Sequence, residues 1–338
     1  MRWVLLLEAL LVIVLFTLWL GREHVLHWSA EPHLLAQPLE VVLEPRQSLK
    51  DFARTLETAG VIDSSLRFRI FIRSFDDYHH FQAGRYRFAE SVAPQEVAAM
   101  VRAGKIYTPI VLQISIPEGF TLAKIAERLE EAGIGPRAET LALAQNPQFL
   151  ASHKIHATNA EGYLYPATYS FAKLPSTTEV LTLLATNFWQ RLPQDYASRA
   201  EALGLSLHQA IIFASLIELE SAVPEERRLI AGVIWNRLKR HMPLGIDASI
   251  IYGIAGYDGN IRYRDLHDAS NPYNTRIHPG LPPTPICSPS VESLLAVVAP
   301  SEEGYLYYVL DPDLGHRHHF SKTLDEHNRY VQKLRRAR

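Results

Sequence analysis

The residues best placed for chemistry are two glutamates, Glu218 and Glu220, in the stretch SLHQAIIFASLIELESAVPEERRLIAGVIWNRLKR that begins at Ser206. Ser206 is a good N-cap. From Ala210 to Leu219 the residues are apolar nearly all round at helical spacing, which predicts a buried helix. A carboxylate at the end of such a helix is costly unless it is paired or used. Desolvation raises its pKa, and the partial negative charge of the helix C-terminus acts in the same direction. A carboxyl group that keeps its proton near neutral pH is what a general acid needs. Two positions apart on a helix, the two side chains point about 200° from one another and cannot share a site. One faces a cleft, while the other pairs with Arg227, Arg228 or Arg237 or meets solvent. Spacing does not choose between them, and it also allows both to be structural ion-pair partners.

Further candidates lie downstream and upstream. Pro224 interrupts the helix, and a second runs from about Glu225 to Arg240 with Ile230, Val233, Ile234 and Leu238 inward. Two irregular stretches follow, Leu244 to Gly253 and Ser270 to Leu294, the second dense in Pro, Asn and Thr. Long irregular runs inside a domain are more often functional than idle. Tyr273, Asn274 and Thr275 offer donors and acceptors suited to the hydroxyls and amides of a glycan. The aromatic stretch GYLYPATYSF, 162–171, could line a groove for a sugar chain or equally be a core-lining loop. His316, His318 and His319 are tightly spaced but lack a metal-binding H-E-x-x-H partner, so they read as a polar strand. Phosphate-binding, dinucleotide-binding and G-x-S-x-G signatures are absent.

The elements that must position these groups follow from the rest of the chain. Its 338 residues suggest about two domains. With 47% hydrophobic and 21% charged residues, it is no disordered or collagen-like chain. A net charge of −2 gives no global reason to bind nucleic acid. The single cysteine, Cys287, excludes an internal disulfide and a cysteine-based zinc site. Trp3 to Leu20 is an almost unbroken apolar run, close to the roughly 20 residues that cross a bilayer. A cleaved signal peptide would have a shorter run ending in small residues, so residues 1–22 read as an uncleaved anchor. Residues 1–2 are then cytoplasmic and everything after Gly21 lies on the outer side of the membrane. Residues 23–38, rich in His and Pro, read as a stalk.

Residues 39–109 read as one small α+β module. It comprises a strand at Leu39 to Leu43, a helix capped by Ser48, a helix near Ser64 to Ser74, a strand over Ala83 to Phe88 and a helix from Pro94. Residues 110–338 form a larger mixed α+β domain. Within it, 110–160 repeats the order strand, helix, Gly stop and forms a second small α+β subdomain. Thr177 to Leu192 is an amphipathic helix.

Several of these stretches together resemble the YceG-like endolytic murein transglycosylases (the MltG family). ASLIELES is followed at family spacing by ERRLIAGVIWNRLKRHMPLGIDASIIYGI, then by NPYNTRIHPGLPPTPICSPSVESLLAVVAP, YLYYV and HHFSKTLDEHN. Upstream, AGRYRF, the Pro117-Glu118-Gly119 turn and EGYLYPATY also fit. Two positions depart from the family pattern, Ala167 in place of Asp and Thr284 in place of Gly.

The resemblance implies a single-pass inner-membrane enzyme with a LysM-like N-terminal module and a periplasmic catalytic domain that cleaves peptidoglycan strands internally. It implies Glu220 as the catalytic acid and base, with Glu218 supporting it or binding substrate. It implies Asn236, Asp247, Tyr252, Tyr273 and Asn274, with Tyr163, as cleft residues. It implies no metal or cofactor, and peptidoglycan synthases of the penicillin-binding class as partners. Two other readings compete: a water-using muramidase with Glu220 as acid and Asp247 as base, and a non-catalytic glycan-binding scaffold. A metal amidase built on the three histidines is more distant.

Overall fold

The computed structural model describes residues 2–315 and 317–337. The N-terminal apolar run forms α1 (Arg2–Ala30), in which Leu10–Ala30 has the length and composition to cross a membrane. The helix does not end where the apolar run does. Val25 and Trp28 are buried, and the Trp28 indole N–H donates to Asp63 at 2.7 Å. A short strand β1 (His33–Leu34) follows and pairs with β4 (Ser91–Val92). The segment read as a stalk is therefore largely helix and strand. The density of His and Pro there masks three apolar residues, Val25, Trp28 and Leu35, that join a hydrophobic core.

The chain divides into two units, Met1–Pro109 and Ile110–Arg338. In the first, β2 (Leu39–Leu43) pairs antiparallel with β3 (Gly84–Phe88). Between them lie α2 (Leu49–Thr58) and α3 (Ser65–Phe75), and α4 (Pro94–Arg102) follows. Local chemistry sets these boundaries. The Ser48 and Ser64 hydroxyls accept from the N–H groups of Asp51 and Arg67, closing two helix starts. Alternation along β2 and β3 buries Val41, Leu43, Tyr86 and Phe88 on one face, against Phe52 and Leu56 of α2 and Phe68 of α3.

The second unit opens with the same order. Strand β5 (Leu112–Ile116) leads into α5 (Leu122–Glu131), α6 (Arg137–Ala144) and α7 (Pro147–Ser152), and β6 (Ala167–Phe171) pairs back antiparallel onto β5. Half of the aromatic stretch is thus a strand rather than a groove-lining loop. Strand and helix compete for such a run, and the pairing with β5 decides it. Then come α8 (Thr177–Arg191), α9 (Tyr196–Ala202) and α10 (Leu207–Glu220). All residues of α10 from Ala210 to Ile217 are buried, as its all-round apolarity requires.

Around α10 pack α11 (Arg227–Lys239), α12 (Asp247–Tyr252) and α14 (Val291–Val297), with a short α13 (Tyr263–Leu266) in the irregular region. A hairpin of β7 (Tyr307–Leu310) and β8 (His318–Ser321) and helix α15 (Leu324–Ala337) complete the unit. Gly162 sits in the left-handed region (φ +82°), and a Cβ there would meet Pro285 at 2.5 Å. The loop before β6 is pressed so closely against the irregular segment that only glycine fits.

Candidate active site

Glu220 is the last residue of α10, beyond the reach of further helical pairing. Its carboxylate accepts a 2.8 Å hydrogen bond from the Tyr308 hydroxyl on β7. Burial pushes the Glu220 carboxyl above the usual range, and the charge of Asp247 adds to this. The Tyr308 bond and the positive fields of His318 and Arg237 oppose the rise. Burial and the adjacent Glu220 push the Tyr308 phenol far upward, so it stays a donor.

Tyr308 is itself held. The His318 ring meets its face edge-on, centroids 5.3 Å apart at 82°. The buried Glu226 receives the His318 backbone N–H at 2.8 Å and lies 2.6 Å from its Nδ1. Arg237 ties three segments together: its Nε donates to Leu306 O (2.7 Å), its Nη1 donates to Leu244 O (2.6 Å), and its guanidinium lies over the Tyr307 ring. Asp247 opens α12, and its Oδ1 receives Nε (3.2 Å) and Nη2 (2.8 Å) of Arg276. The arrangement is one partly desolvated carboxyl group, a neutral donor fixing its orientation, and a second carboxylate that raises its pKa without sharing its hydrogen bonds. It suits proton donation followed by proton return at one group.

Glu218 points elsewhere, as the spacing requires. Its Oε2 receives the Ser290 N–H (2.8 Å) and the Ser290 hydroxyl (2.5 Å), and its Oε1 lies 3.7 Å from Arg227 Nη2. Ser290 is the N-cap of α14, so the carboxylate also sits at a positive helix end. On the same side, Glu118 lies 3.9 Å from Arg227, and the Gly119 N–H donates to Ser288 O at 2.9 Å. Glu218 fastens α10 to α14, which leaves Glu220 as the carboxyl group free of an ion-pair partner within 4 Å among the described residues.

The other expected cleft residues divide. Tyr252 and Tyr273 form an edge-to-face pair at 4.9 Å, half-buried, with the Tyr273 hydroxyl 2.9 Å from Thr284 Oγ1. Asn236 is half-buried and donates to Tyr305 O at 2.9 Å. Asn274 is fully buried. Its Nδ2 donates to the carbonyls of Asp265, Leu266 and Asp268, so it shapes the loop and presents no polar atom to a ligand. Tyr163 is also buried, its hydroxyl 2.8 Å from His208 Nδ1. His208 lies at the start of α10 and Glu220 at its end, about 18 Å apart along the axis. The structure does not bring Tyr163 to the carboxylate. Thr284 keeps a negative φ, so the absence of glycine there introduces no strain.

Sequence reasoning missed Tyr308, His318 and Glu226 as parts of this site. The alternation in YLYYV could have placed Tyr307 and Tyr308 on opposite faces of a strand, but nothing local names the face that meets α10. Among the described residues no cluster of three or more His, Cys, Asp or Glu is arranged to hold a metal. His318 is engaged by Glu226, and His319 stacks on Tyr330. His316 lies outside the described residues.

A model of the YceG-like family matches residues 41–333. The chain belongs to the YceG-like family. It is similar to the endolytic murein transglycosylase of Bacillus subtilis (strain 168), 28% identical over 300 residues that cover 85% of this chain and 82% of that protein. It is also 28% identical over 312 residues to the endolytic murein transglycosylase of Streptococcus pneumoniae serotype 2 (strain D39), covering 84% of this chain. The chain spans about half the length of the pneumococcal relatives, 56% of each. Among solved structures it resembles a YceG-like protein of Listeria monocytogenes with a TM-score of 0.59 and 28% identity, over 87% of this chain and 99% of that one.

Proposed function

We propose that this protein is a membrane-anchored endolytic transglycosylase that cleaves the β-1,4 bond between MurNAc and GlcNAc inside peptidoglycan strands. The observation that carries the reading is the environment of Glu220: the end of a buried helix, a raised pKa, and one neutral donor at 2.8 Å. The names of the curated relatives support it.

In this mechanism protonated Glu220 gives its proton to the glycosidic oxygen as the bond to MurNAc C1 breaks. Positive charge develops at C1. The carboxylate then takes the proton from the C6 hydroxyl of the same MurNAc, whose oxygen bonds to C1 and closes a 1,6-anhydro ring. The proton lost in the first step is regained in the second, and no water is consumed. Because the nucleophile belongs to the substrate, one carboxyl group suffices where glycosidases commonly need two. Tyr308 holds the carboxylate in one orientation and supplies a hydrogen bond that strengthens when Glu220 is ionised, the state formed in mid-reaction. Burial keeps the proton affinity of Glu220 high, and the charge of Asp247 adds to it. The pairing of Asp247 with Arg276, two donors on Oδ1, fits an electrostatic role better than that of a water-activating base.

The apolar helix α1 fits a single-pass anchor in the inner membrane, with both folded units on the periplasmic side. The substrate of such a tethered enzyme is newly made strand, which makes penicillin-binding synthases natural partners. The test is mass spectrometry of purified peptidoglycan digested by the detergent-solubilised full chain and by its Glu220→Gln variant. The expected result is anhydro-ended fragments, one water lighter than hydrolytic products, from the parent alone. Reducing ends would establish a water-using muramidase instead. No cleavage by either protein, with retained binding to the strands, would establish a scaffold.

A further inference from the structure

A second buried carboxyl group takes no part in that mechanism. Glu161 is 2% exposed and stands where three segments of the second unit converge. The Leu122 N–H, at the start of α5, donates to both its oxygens at 2.9 and 3.0 Å. The Tyr252 hydroxyl, at the end of α12, donates to Oε2 at 2.9 Å. The adjoining Gly162 is the glycine wedged against Pro285. Helix α12 therefore has a link at each end: its last residue is tied to Glu161, and the charge of its first, Asp247, adds to the rise that burial gives the Glu220 carboxyl. The helix is six residues long, so a displacement at Tyr252 is carried to Asp247 over a single rigid turn and a half.

We propose that Glu161 is a positioning residue for the reaction, acting through Tyr252 to hold α12 and so to fix Asp247 at the other end of that helix. The proposal rests on the reading of Glu220 as the acid. Its hold depends on charge. Ionised, Glu161 only accepts, matching the donors around it; protonated, it must itself donate, and its claim on Tyr252 weakens. Burial pushes its carboxyl up to about 7, against the pull of its donors. The titratable groups facing it are Tyr252 and the buried Cys287; both are pushed upward, so neither changes charge near neutrality. The tie is thus released as pH falls through about 7, within the range an envelope protein meets.

The experiment uses the full chain with two variants, Glu161→Gln and Tyr252→Phe, and two readouts. The first is hydrogen-exchange protection of the α12 amides between pH 6 and 8, corrected for the intrinsic pH dependence of exchange. The parent should lose protection in α12 by about tenfold on going below pH 7, the effect of one charge-assisted hydrogen bond. Both variants should show the low value at every pH. The second is the pH profile of anhydro-product formation. The parent rate should fall several-fold on the acid side of pH 7, and both variants should start from the lower rate and lack that limb. A merely structural role would scale the rate down and leave the profile's shape unchanged, which would overturn the proposal. So would α12 protection in Glu161→Gln equal to that of the parent. If the parent makes no anhydro product, the catalytic reading fails, whereas the exchange readout still decides whether Glu161 holds α12.

Discussion

Glu218 and Glu220 are two residues apart on one helix, and the structure gives them opposite energetic signs. Glu218 receives two hydrogen bonds from Ser290 at 2.8 and 2.5 Å and lies at the start of α14. Hydrogen bonds to a charged group contribute about 1.5–3 kcal/mol each. Glu218→Ala removes both and leaves Arg227 without its buried partner, so the expected loss is about 3–5 kcal/mol. At about 2–4 °C per kcal/mol for a unit of 150–250 residues, the melting temperature should fall by roughly 10 °C.

Glu220 is the reverse case. Its pKa is raised in the folded protein, so its stabilising contribution is complete below the unfolded value and is lost as pH rises through the folded one. Glu220→Gln keeps the shape and an acceptor for Tyr308 but cannot ionise. The variant should match the parent in melting temperature at pH 4, below the unfolded value, exceed it at pH 8, and be inactive. The assay is thermal unfolding followed by circular dichroism at both pH values, on the same preparations used for activity. A large loss from Glu220→Gln with little change from Glu218→Ala would reverse the two assignments and refute the reasoning.

Three further outcomes are expected. Tyr308→Phe removes the hydrogen bond that lowers the Glu220 pKa, so the alkaline limb of the pH–rate profile should move to higher pH while the maximal rate falls about tenfold; an unmoved limb would place Tyr308 outside the site. Trp28→Ala should destabilise the first unit by about 3–5 kcal/mol, visible as an earlier unfolding transition and faster trypsin cleavage after Arg22. Unchanged stability would restore the reading of 23–38 as a passive stalk. Chelation with EDTA should leave the rate of anhydro-product formation unchanged, because His318 and His319 are engaged by Glu226, Glu326 and Tyr330; a loss of rate would bring the histidines back as ligands.

The local order of this protein is written in its sequence because its causes are local. Ser48, Ser64, Ser176 and Ser206 accept from backbone N–H groups three residues on, so each marks a helix start that needs no distant partner. The all-round apolarity of α10 requires burial wherever the helix lies, and the two-residue spacing of its glutamates requires that they diverge. The alternation of β2, β3 and β5 likewise names their inner faces.

Tertiary structure alone decided what each glutamate is bonded to. The partners are Ser290, 72 residues from Glu218, and Tyr308, 88 residues from Glu220. It also decided that Asn274 shapes a loop, that Tyr163 stays in the core, that residues 23–30 are helix, and that Glu161 accepts a hydrogen bond from Tyr252 of α12. Each of these rests on a hydrogen bond or a buried contact between distant segments. A side chain's type states what it can donate, accept or bury, but not which partner the folded chain brings within 3 Å of it.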